Sequence, residues 1–267
     1  MRAVLESDSP EALRGAAAAA ASRWGEAALA PLLAQIEASG ERLRSVAALL
    51  DHSYCAASPE ASLAHMAAGF DRAAAVSPDV GVAFYALGDP LLLGQATAEV
   101  LGWLRAEELL KPGLSILEVG CGAGRFLSAL ADDAARAVGV EISSGMAAEA
   151  ARRLAAAPRS GVVRSAGGDL AFLASDAFDL VLYIDSFPYV VQAGGELPLQ
   201  MLGETARVLR PGGAAAFLNW SYRGDPDLDA RERAALASQA GLDLRPCSQP
   251  VFSGWDAAAA VLRRASS

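Results

Sequence analysis

The chain has 267 residues, of which 53% are hydrophobic, and it can bury a substantial core as one large domain or as a core with a smaller module. The formal net charge of −9 argues against a nucleic-acid substrate, because binding to a phosphate backbone needs a basic surface. Cys55, Cys121 and Cys247 lack the spacing of a metal site, and the N-terminus lacks a signal-peptide pattern. We therefore expect a cytoplasmic protein with reduced cysteines, no metal and no membrane segment. Abundant alanine and arginine, with Lys111 as the only lysine, indicate a GC-rich bacterial genome.

The N-terminal part of the chain has the pattern of successive helices. Ser9-Pro10 and Ser58-Pro59 each place a serine N-cap before a proline, which predicts two helix starts, with the second helix reaching about Val76. Residues 77–90 are predicted to form a loop with aromatic side chains. Residues 97–110 have amphipathic spacing and predict a helix that leads into the first strand.

The most informative segment is an apolar run that ends in Glu118 and passes into Gly120, Gly122 and Gly124. A strand that stops in a glycine-rich turn and restarts as a helix brings bare backbone close to a ligand at the carboxyl edge of a sheet. A dinucleotide motif has its third glycine one position later, where Arg125 stands, and Glu118 would repel a pyrophosphate. The same acid suits a ligand that carries an ammonium or sulfonium charge.

Further apolar runs also end in acids. Glu141 closes a second predicted strand, 138–142, at the distance from Gly120 at which a parallel strand presents a carboxylate to ribose hydroxyls. The later predicted elements, in chain order, are a third strand at 162–165 followed by Gly167-Gly168-Asp169-Leu170, a fourth strand at 178–185 ending in Asp185, a helix end and Pro-Gly turn at 208–213, a fifth strand at 214–219, a charged helix at 227–240, and two strands at 242–247 and 257–262.

This order of elements resembles the class I S-adenosylmethionine-dependent methyltransferases over about residues 100 to 265. The resemblance implies an α/β fold with a Rossmann-like, doubly wound, seven-stranded and mostly parallel sheet that ends in an antiparallel hairpin strand. Residues 96–267 would form this cofactor-binding core, and residues 1–95 a helical lid over the carboxyl edge of the sheet. The alternatives are that the N-terminal helices are an appendage used for dimerisation, which would make the protein a homodimer, or that they are simply more core.

The resemblance also implies S-adenosylmethionine as the cofactor and assigns contacts to it. Glu118, Gly120 and Gly122 would line its methionine end, and Glu141 would hold both ribose hydroxyls. Asp169 would accept the adenine amino hydrogen. The remaining predicted cofactor contacts are Tyr85 from the lid, Cys121, which fills a variable position as an inert buried thiol, Gly124, Gly168, Leu170 with its backbone, Ile142 and Met146 near the adenine, and Asp185 and Ser186 facing the sulfonium.

Candidates for catalysis and for substrate binding are fewer. Asp185 lies where a general base would stand, although an acid there can also orient other groups. His65 would reach the site only if its helix forms the lid, and a surface histidine is the simpler interpretation. Tyr189, Tyr222 and Asn219 are predicted to contact the substrate because each offers a polar group after the fourth or fifth strand.

The sequence thus predicts an enzyme that methylates a small molecule, at oxygen or nitrogen rather than carbon. The segment Asp185-Ser-Phe-Pro-Tyr189 stands where many enzymes that methylate bases or glutamine carry Asn-Pro-Pro-Tyr, which argues against those substrates. Three alternatives stay open: an enzyme of the same fold that uses the sulfonium for cyclisation or aminopropyl transfer, a nicotinamide-dependent oxidoreductase, and a non-catalytic cofactor-binding domain.

Overall fold

The computed structural model describes residues 58–86 and 88–266, and the helix start predicted at Ser9-Pro10 and Cys55 both lie outside them. The described chain begins with three helices and a short 3-10 turn, which are α1 (Pro59–Val76), α2 (Pro78–Val82), the turn Phe84–Ala86, and α3 (Pro90–Ala106).

The first of these helices confirms the capping pattern read from the sequence. The Ser58 hydroxyl accepts the Ala61 N–H at 3.3 Å, and α1 ends at Val76 as predicted. The predicted start of the next long helix at residue 97 is wrong, because α3 begins at Pro90. Asp89 caps it by accepting the Leu91 N–H at 2.7 Å. Asp-Pro is thus a third instance of the pattern that predicts a helix start.

A single seven-stranded sheet follows, in the order β3-β2-β1-β4-β5-β7-β6. The first five strands are parallel, and β7 is antiparallel to both of its neighbours, which confirms the predicted fold class. The elements are β1 (Ser115–Val119), α4 (Arg125–Leu130), β2 (Arg136–Glu141), α5 (Ser144–Arg153), β3 (Ser160–Arg164), β4 (Phe178–Ile184), α6 (Phe187–Ala193), α7 (Leu197–Val208), β5 (Leu209–Leu218), α8 (Pro226–Gln239), β6 (Leu242–Arg245) and β7 (Ala259–Arg264).

The sheet is buried on both faces, as expected for parallel strands. In β4, Leu180 and Leu182 pack into a cluster with α3, α4 and α5, whereas Val181 and Tyr183 pack into a second cluster with α6, α7 and α8. The chain leaves β1 toward β2 on one side and returns to β4 on the other. Ligands of such sheets bind in the crevice at the carboxyl ends of the strands that flank this reversal.

Two local features differ from the sequence prediction. The segment predicted as a Pro-Gly turn at 208–213 is the beginning of β5, and the pairing of β4 with β5 shifts register between Phe178 and Leu180. A short helix, α6, directly follows β4 and was not predicted. The alanines of β7, which have little intrinsic preference for strands, form one because they pair with β5, as in Ala259 with Leu218 and Ala260 with Phe217.

Within the described residues, no helix is both long enough and apolar enough to span a bilayer.

Candidate active site

A cavity of about 810 Å³ lies at the carboxyl ends of β1, β2, β4 and β5. Helices α1 and α2 border it on the outer side. Of the residues predicted to contact the cofactor, those that line the cavity are Tyr85, Glu118, Gly120, Cys121, Gly122, Glu141, Ile142, Met146, Asp169, Leu170, Asp185 and Ser186. Tyr189, Asn219 and Tyr222, predicted to contact the substrate, line it as well. Gly124, Gly168 and His65 are not among the lining residues.

The glycine-rich turn after β1 requires glycine for its backbone and for its close packing. Gly120, Gly122 and Gly124 have φ angles of 74°, 52° and 76°. A Cβ at Gly120 would lie 2.4 Å from the Ser186 Cβ, and one at Gly122 would lie 2.5 Å from a methyl carbon of Val82. The turn therefore packs tightly between the end of β4 and α2, and its other side faces the cavity.

The third glycine of this turn allows two helices to pack closely. Gly124 is the N-cap of α4, and a Cβ there would lie 2.9 Å from the Cβ of Ala150. It lets α4 approach α5 closely, which explains why it does not line the cavity.

We expect Gly120→Ala to destabilise the protein by about 2 kcal/mol or more, because it adds a left-handed backbone cost to a clash with Ser186. Gly113→Ala is the matched control, since Gly113 also has a positive φ of 82° but a Cβ there meets nothing within 4 Å. Thermal unfolding of the two variants measures the difference. Equal losses of stability would mean that contact with Ser186 does not restrict this position.

Glu118 is the most unusual ionisable group in the cavity. Its side chain is 2% exposed, and its Oε2 atom has no hydrogen-bond partner among the described residues. Burial raises the pKa of Glu118 to about 8; the Arg125 guanidinium opposes this shift and the Glu141 carboxylate adds to it. A buried carboxylate with an unused oxygen is costly unless a ligand supplies a donor or a positive charge.

Glu141 shares the cavity with Glu118 but is held by the backbone. One of its oxygens accepts the Gly122 N–H and the other accepts the Ser143 N–H, each at 2.8 Å. Burial raises the pKa of Glu141, and these hydrogen bonds counteract part of the rise. Each oxygen keeps a second lone pair, so the carboxylate can accept two further donors such as a pair of hydroxyls.

Arg125 is a cavity residue whose role the sequence did not suggest. Its guanidinium hydrogen-bonds the Tyr85 hydroxyl, lies 3.3 Å from Thr97 Oγ1, and stands 4.2 Å from the ring centroid of Phe126. No acid within the described chain forms an ion pair with it at 4 Å or less. The Tyr85 ring stacks on Trp255, with centroids 5.2 Å apart. Burial raises the pKa of Tyr85, so this hydroxyl stays protonated at neutral pH.

Helices α1 and α2 are fixed to the core by polar contacts. The Asp71 carboxylate of α1 accepts from the Ser143 hydroxyl at 2.6 Å and from the Gly145 N–H at 2.9 Å, at the start of α5. Burial pushes the Asp71 pKa upward, but these hydrogen bonds outweigh it and the pKa is lowered. Asp79 of α2 forms an ion pair with Arg153 at 2.6 Å. The function of these helices as a lid stays a prediction.

Asp185, Asn219 and Tyr222 form a connected group at the ends of β4 and β5. The Asn219 amide donates to Asp185 Oδ1 at 2.8 Å, and the Tyr222 hydroxyl donates to the same oxygen at 2.8 Å. Ser186, the next residue, donates its hydroxyl to the Val119 carbonyl of β1 at 2.5 Å. His65 is half-buried on α1 and does not border the cavity, so it is not placed to act as a base there.

No cluster of three or more histidine, cysteine, aspartate or glutamate side chains suited to a metal ion is found in residues 58–86 and 88–266. Cys121 is buried, its burial raises the pKa of the thiol, and its sulfur makes a weak contact with the Gly122 carbonyl at 3.8 Å. It has the character of the inert thiol that the sequence predicted.

An α/β sheet of this order, with a glycine-rich turn after β1 and acids at the ends of β1 and β2, defines a nucleotide-type cofactor site. The sequence profile of a family described as a methyltransferase domain matches residues 117–217. Residues 117–217 therefore form a methyltransferase domain within a Rossmann-like fold, and the cofactor of such domains is S-adenosylmethionine.

Curated relatives agree with this family. An uncharacterised methyltransferase of Mycobacteroides abscessus is 36% identical over 42% of the chain and 42% of its own length. A demethylmenaquinone methyltransferase of Beutenbergia cavernae is 32% identical over 51% of the chain and 50% of its own length. The chain thus aligns with half or less of the length of these relatives. A crystal structure of an S-adenosylmethionine-dependent methyltransferase from Aquifex aeolicus shares the fold, with a TM-score of 0.50, 21% identity, and coverage of 66% of this chain and 93% of that chain.

Proposed function

We propose that this protein transfers the methyl group of S-adenosylmethionine to a small molecule. The observation that carries the proposal is the buried Glu118 carboxylate, whose Oε2 lacks a hydrogen-bond partner among the described residues, beside the glycine-rich turn. An ammonium group is the natural partner for such an oxygen, and the methionine end of the cofactor has one. The family match supports the same assignment.

The remaining residues of the cavity fit this cofactor. Glu141 has lone pairs for two ribose hydroxyls, and Arg125 offers its guanidinium to the carboxylate at the methionine end. Ile142 and Met146 supply apolar surface for the adenine, with Asp169 as its hydrogen-bond acceptor. When bound, S-adenosylmethionine supplies an electrophilic methyl group.

The protein's own contribution is to bind and orient the acceptor and to exclude water, since a displacement at a methyl carbon depends on the alignment of the two reactants. Asp185 and Asn219 stand next to Ser186 and offer acceptor and donor groups to the cavity. These groups favour an acceptor that carries N–H or O–H bonds, so we assign methylation to nitrogen or oxygen.

Methylation at carbon is the second candidate. It is favoured by the relative from Beutenbergia cavernae, which is named for demethylmenaquinone, a quinone. Neither candidate needs a nucleic acid, a membrane or a metal ion.

Two measurements test the proposed function. Calorimetric titration with S-adenosylhomocysteine should show binding, and titration with NADH should show none. Mass spectrometry of reactions with S-adenosylmethionine and a panel of amines, phenols and quinones should then detect S-adenosylhomocysteine together with a product that is one methyl group heavier. Methylthioadenosine as the product would indicate cofactor cyclisation or aminopropyl transfer instead. Binding without any turnover across the panel would favour a non-catalytic domain.

A further inference from the structure

We propose that the methyl acceptor is a cationic amine, bound with its nitrogen against the Asp185 carboxylate and its body against the rings of Phe70, Tyr189 and Tyr222. This inference rests on the proposed function and narrows the substrate class of the same cavity. Four observations carry it: the backbone at the ends of β4 and β5, the hydrogen bonds that orient Asp185, the aromatic rings beside it, and the charge of the cavity wall.

The backbone is strained at Asp185 and at Asn219. Asp185 and Asn219 follow the last residues of β4 and β5, and their φ angles are 59° and 63°. A left-handed conformation costs a non-glycine residue roughly 1 kcal/mol and persists where the surrounding structure imposes it, often at functional sites. Here it brings the two side chains into hydrogen-bond contact at the edge of the cavity.

Asn219 and Tyr222 are positioning residues that act through Asp185. The Asn219 side-chain oxygen accepts the Ala258 N–H at 3.1 Å, so its amide nitrogen must face Asp185. The Tyr222 hydroxyl donates to the same Asp185 oxygen from another direction. Both donors are neutral, so they fix the direction of the carboxylate without cancelling its negative charge.

A row of three aromatic rings lies on the cavity wall, and the last of them, Tyr222, hydrogen-bonds this carboxylate. The rings of Phe70 and Tyr189 meet edge to face, with centroids 5.4 Å apart, and those of Tyr189 and Tyr222 do so at 5.6 Å. All three residues line the cavity. Ring faces carry negative electrostatic potential, and an organic cation beside them gains about 0.5–2 kcal/mol. A carboxylate next to such rings therefore suits an ammonium group better than a neutral hydroxyl group.

The charge of the described cavity wall agrees with a cationic ligand. Two guanidinium groups line it, and one of them, Arg223, forms ion pairs at 2.5 Å with both Asp229 and Glu232. Of the acids that line it, Glu118, Glu141 and Asp169 are assigned to the cofactor, as is the other guanidinium, Arg125, which leaves Asp185 and Asp256 for the acceptor.

The reaction that follows is balanced by these groups. The bound ammonium gives a proton to the Asp185 carboxylate, which frees the lone pair of the nitrogen. That lone pair forms the new N–CH₃ bond as the S–CH₃ bond breaks, and the electron pair of the broken bond stays on sulfur. The products are a methylated ammonium and S-adenosylhomocysteine, and Asp185 returns its proton to water when the product leaves.

A pair of probes with one carbon skeleton tests the inference by binding alone. Phenethylamine is a cation at pH 7, and 2-phenylethanol is its neutral hydroxyl counterpart. In calorimetric titrations of the full-length protein saturated with S-adenosylhomocysteine, we expect the amine to bind at least tenfold more tightly than the alcohol. Equal affinities, or tighter binding of the alcohol, would overturn the proposal.

Matched variants test whether Asp185 causes the preference for the amine over the alcohol. Asp185→Asn keeps the size, the hydrogen-bond acceptor and the tolerance of a positive φ, and it should remove at least nine-tenths of the amine preference. Asp176→Asn makes the same change at a surface aspartate with a φ of 55°, and it should preserve the preference. Tyr222→Phe should weaken amine binding about threefold to tenfold and leave alcohol binding nearly unchanged. An unaltered preference in Asp185→Asn contradicts the inference.

The outcomes of these titrations distinguish a failure of the amine assignment, which rests on the proposed function, from a failure of the proposed function itself. Failure of the wild-type protein to bind S-adenosylhomocysteine would reject the proposed function. Binding of S-adenosylhomocysteine without a preference for the amine would reject only the amine. Methylation of a quinone carbon in the acceptor panel would reject the amine and also the assignment to nitrogen or oxygen, but not the methyltransferase activity.

Discussion

Replacing Glu118 with glutamine should stabilise the ligand-free protein at pH 8 and at the same time weaken its binding of S-adenosylhomocysteine by on the order of tenfold to a hundredfold. The stability effect follows from the Glu118 pKa of about 8, which lies above the ordinary value of 4.5. Between these two values the native state holds a proton that the unfolded state has lost. The free energy of unfolding therefore falls as the pH rises through this window, by up to about 1.4 kcal/mol per pH unit.

The glutamine variant lacks this pH dependence. Its free energy of unfolding should therefore exceed that of the wild type by a margin that grows from pH 5 to pH 8 and reaches roughly 4 kcal/mol at most. Urea unfolding at pH 5, 6, 7 and 8 measures it. Glu108→Gln is the control, because Glu108 is an exposed acid outside the cavity. Parallel curves for the wild type and the Glu118 variant across these pH values would refute the buried, protonated state of Glu118.

Binding should release this proton. A ligand ammonium beside Glu118 favours the ionised carboxylate, so titration of the wild type with S-adenosylhomocysteine at pH 7 should release approximately one proton at most. Calorimetry in buffers with different ionisation enthalpies detects this release, and the glutamine variant should lack it. Buffer-independent heat in the wild type would contradict the pairing.

The second large effect is expected for Glu141→Ala, which should lower both the affinity for S-adenosylhomocysteine and the stability of the fold. Loss of charge-assisted hydrogen bonds to two hydroxyls corresponds to on the order of tenfold to a hundredfold in dissociation constant. The structure adds a cost, because the Gly122 and Ser143 N–H groups lose their acceptor, at about 1–3 kcal/mol each.

Calorimetry well below the unfolding temperature measures the affinity for S-adenosylhomocysteine, and thermal unfolding measures the stability of the fold separately. Asp169→Ala is the comparison, since Asp169 is exposed and its Oδ1 accepts the neighbouring Ala171 N–H at 2.9 Å. It should lose less affinity and little stability. A Glu141→Ala protein that binds as tightly as the wild type would exclude Glu141 as the ribose ligand.

The sheet could be predicted because each strand is an apolar run with a distinct end. An acid or a glycine turn marks the carboxyl ends of β1, β2 and β4, and the family resemblance supplied the strand order. The residues at these ends line one cavity, as parallel strands require. Gly124 and Gly168 were grouped with them by sequence proximity alone, and they do not line it.

The residues that sequence reasoning missed reach the cavity through tertiary packing. Trp255 comes from the long connection between β6 and β7, where no periodic pattern indicates its stacking on Tyr85. Phe70 lines the cavity only because α1 docks on α5 and α6. Arg125 directly follows the glycine turn, but its sequence position indicated only that the turn was not of the dinucleotide type.

Ser143 connects the predicted ribose site to α1 through two hydrogen bonds. Its N–H is held by the Glu141 carboxylate, and its hydroxyl is held by Asp71 of α1. Occupancy of the ribose site and retention of α1 on the core are therefore thermodynamically linked, and the linkage acts equally in both directions. A nucleoside bound at Glu141 should slow amide hydrogen exchange along α1, and a mutation that releases α1 should reduce affinity at the ribose.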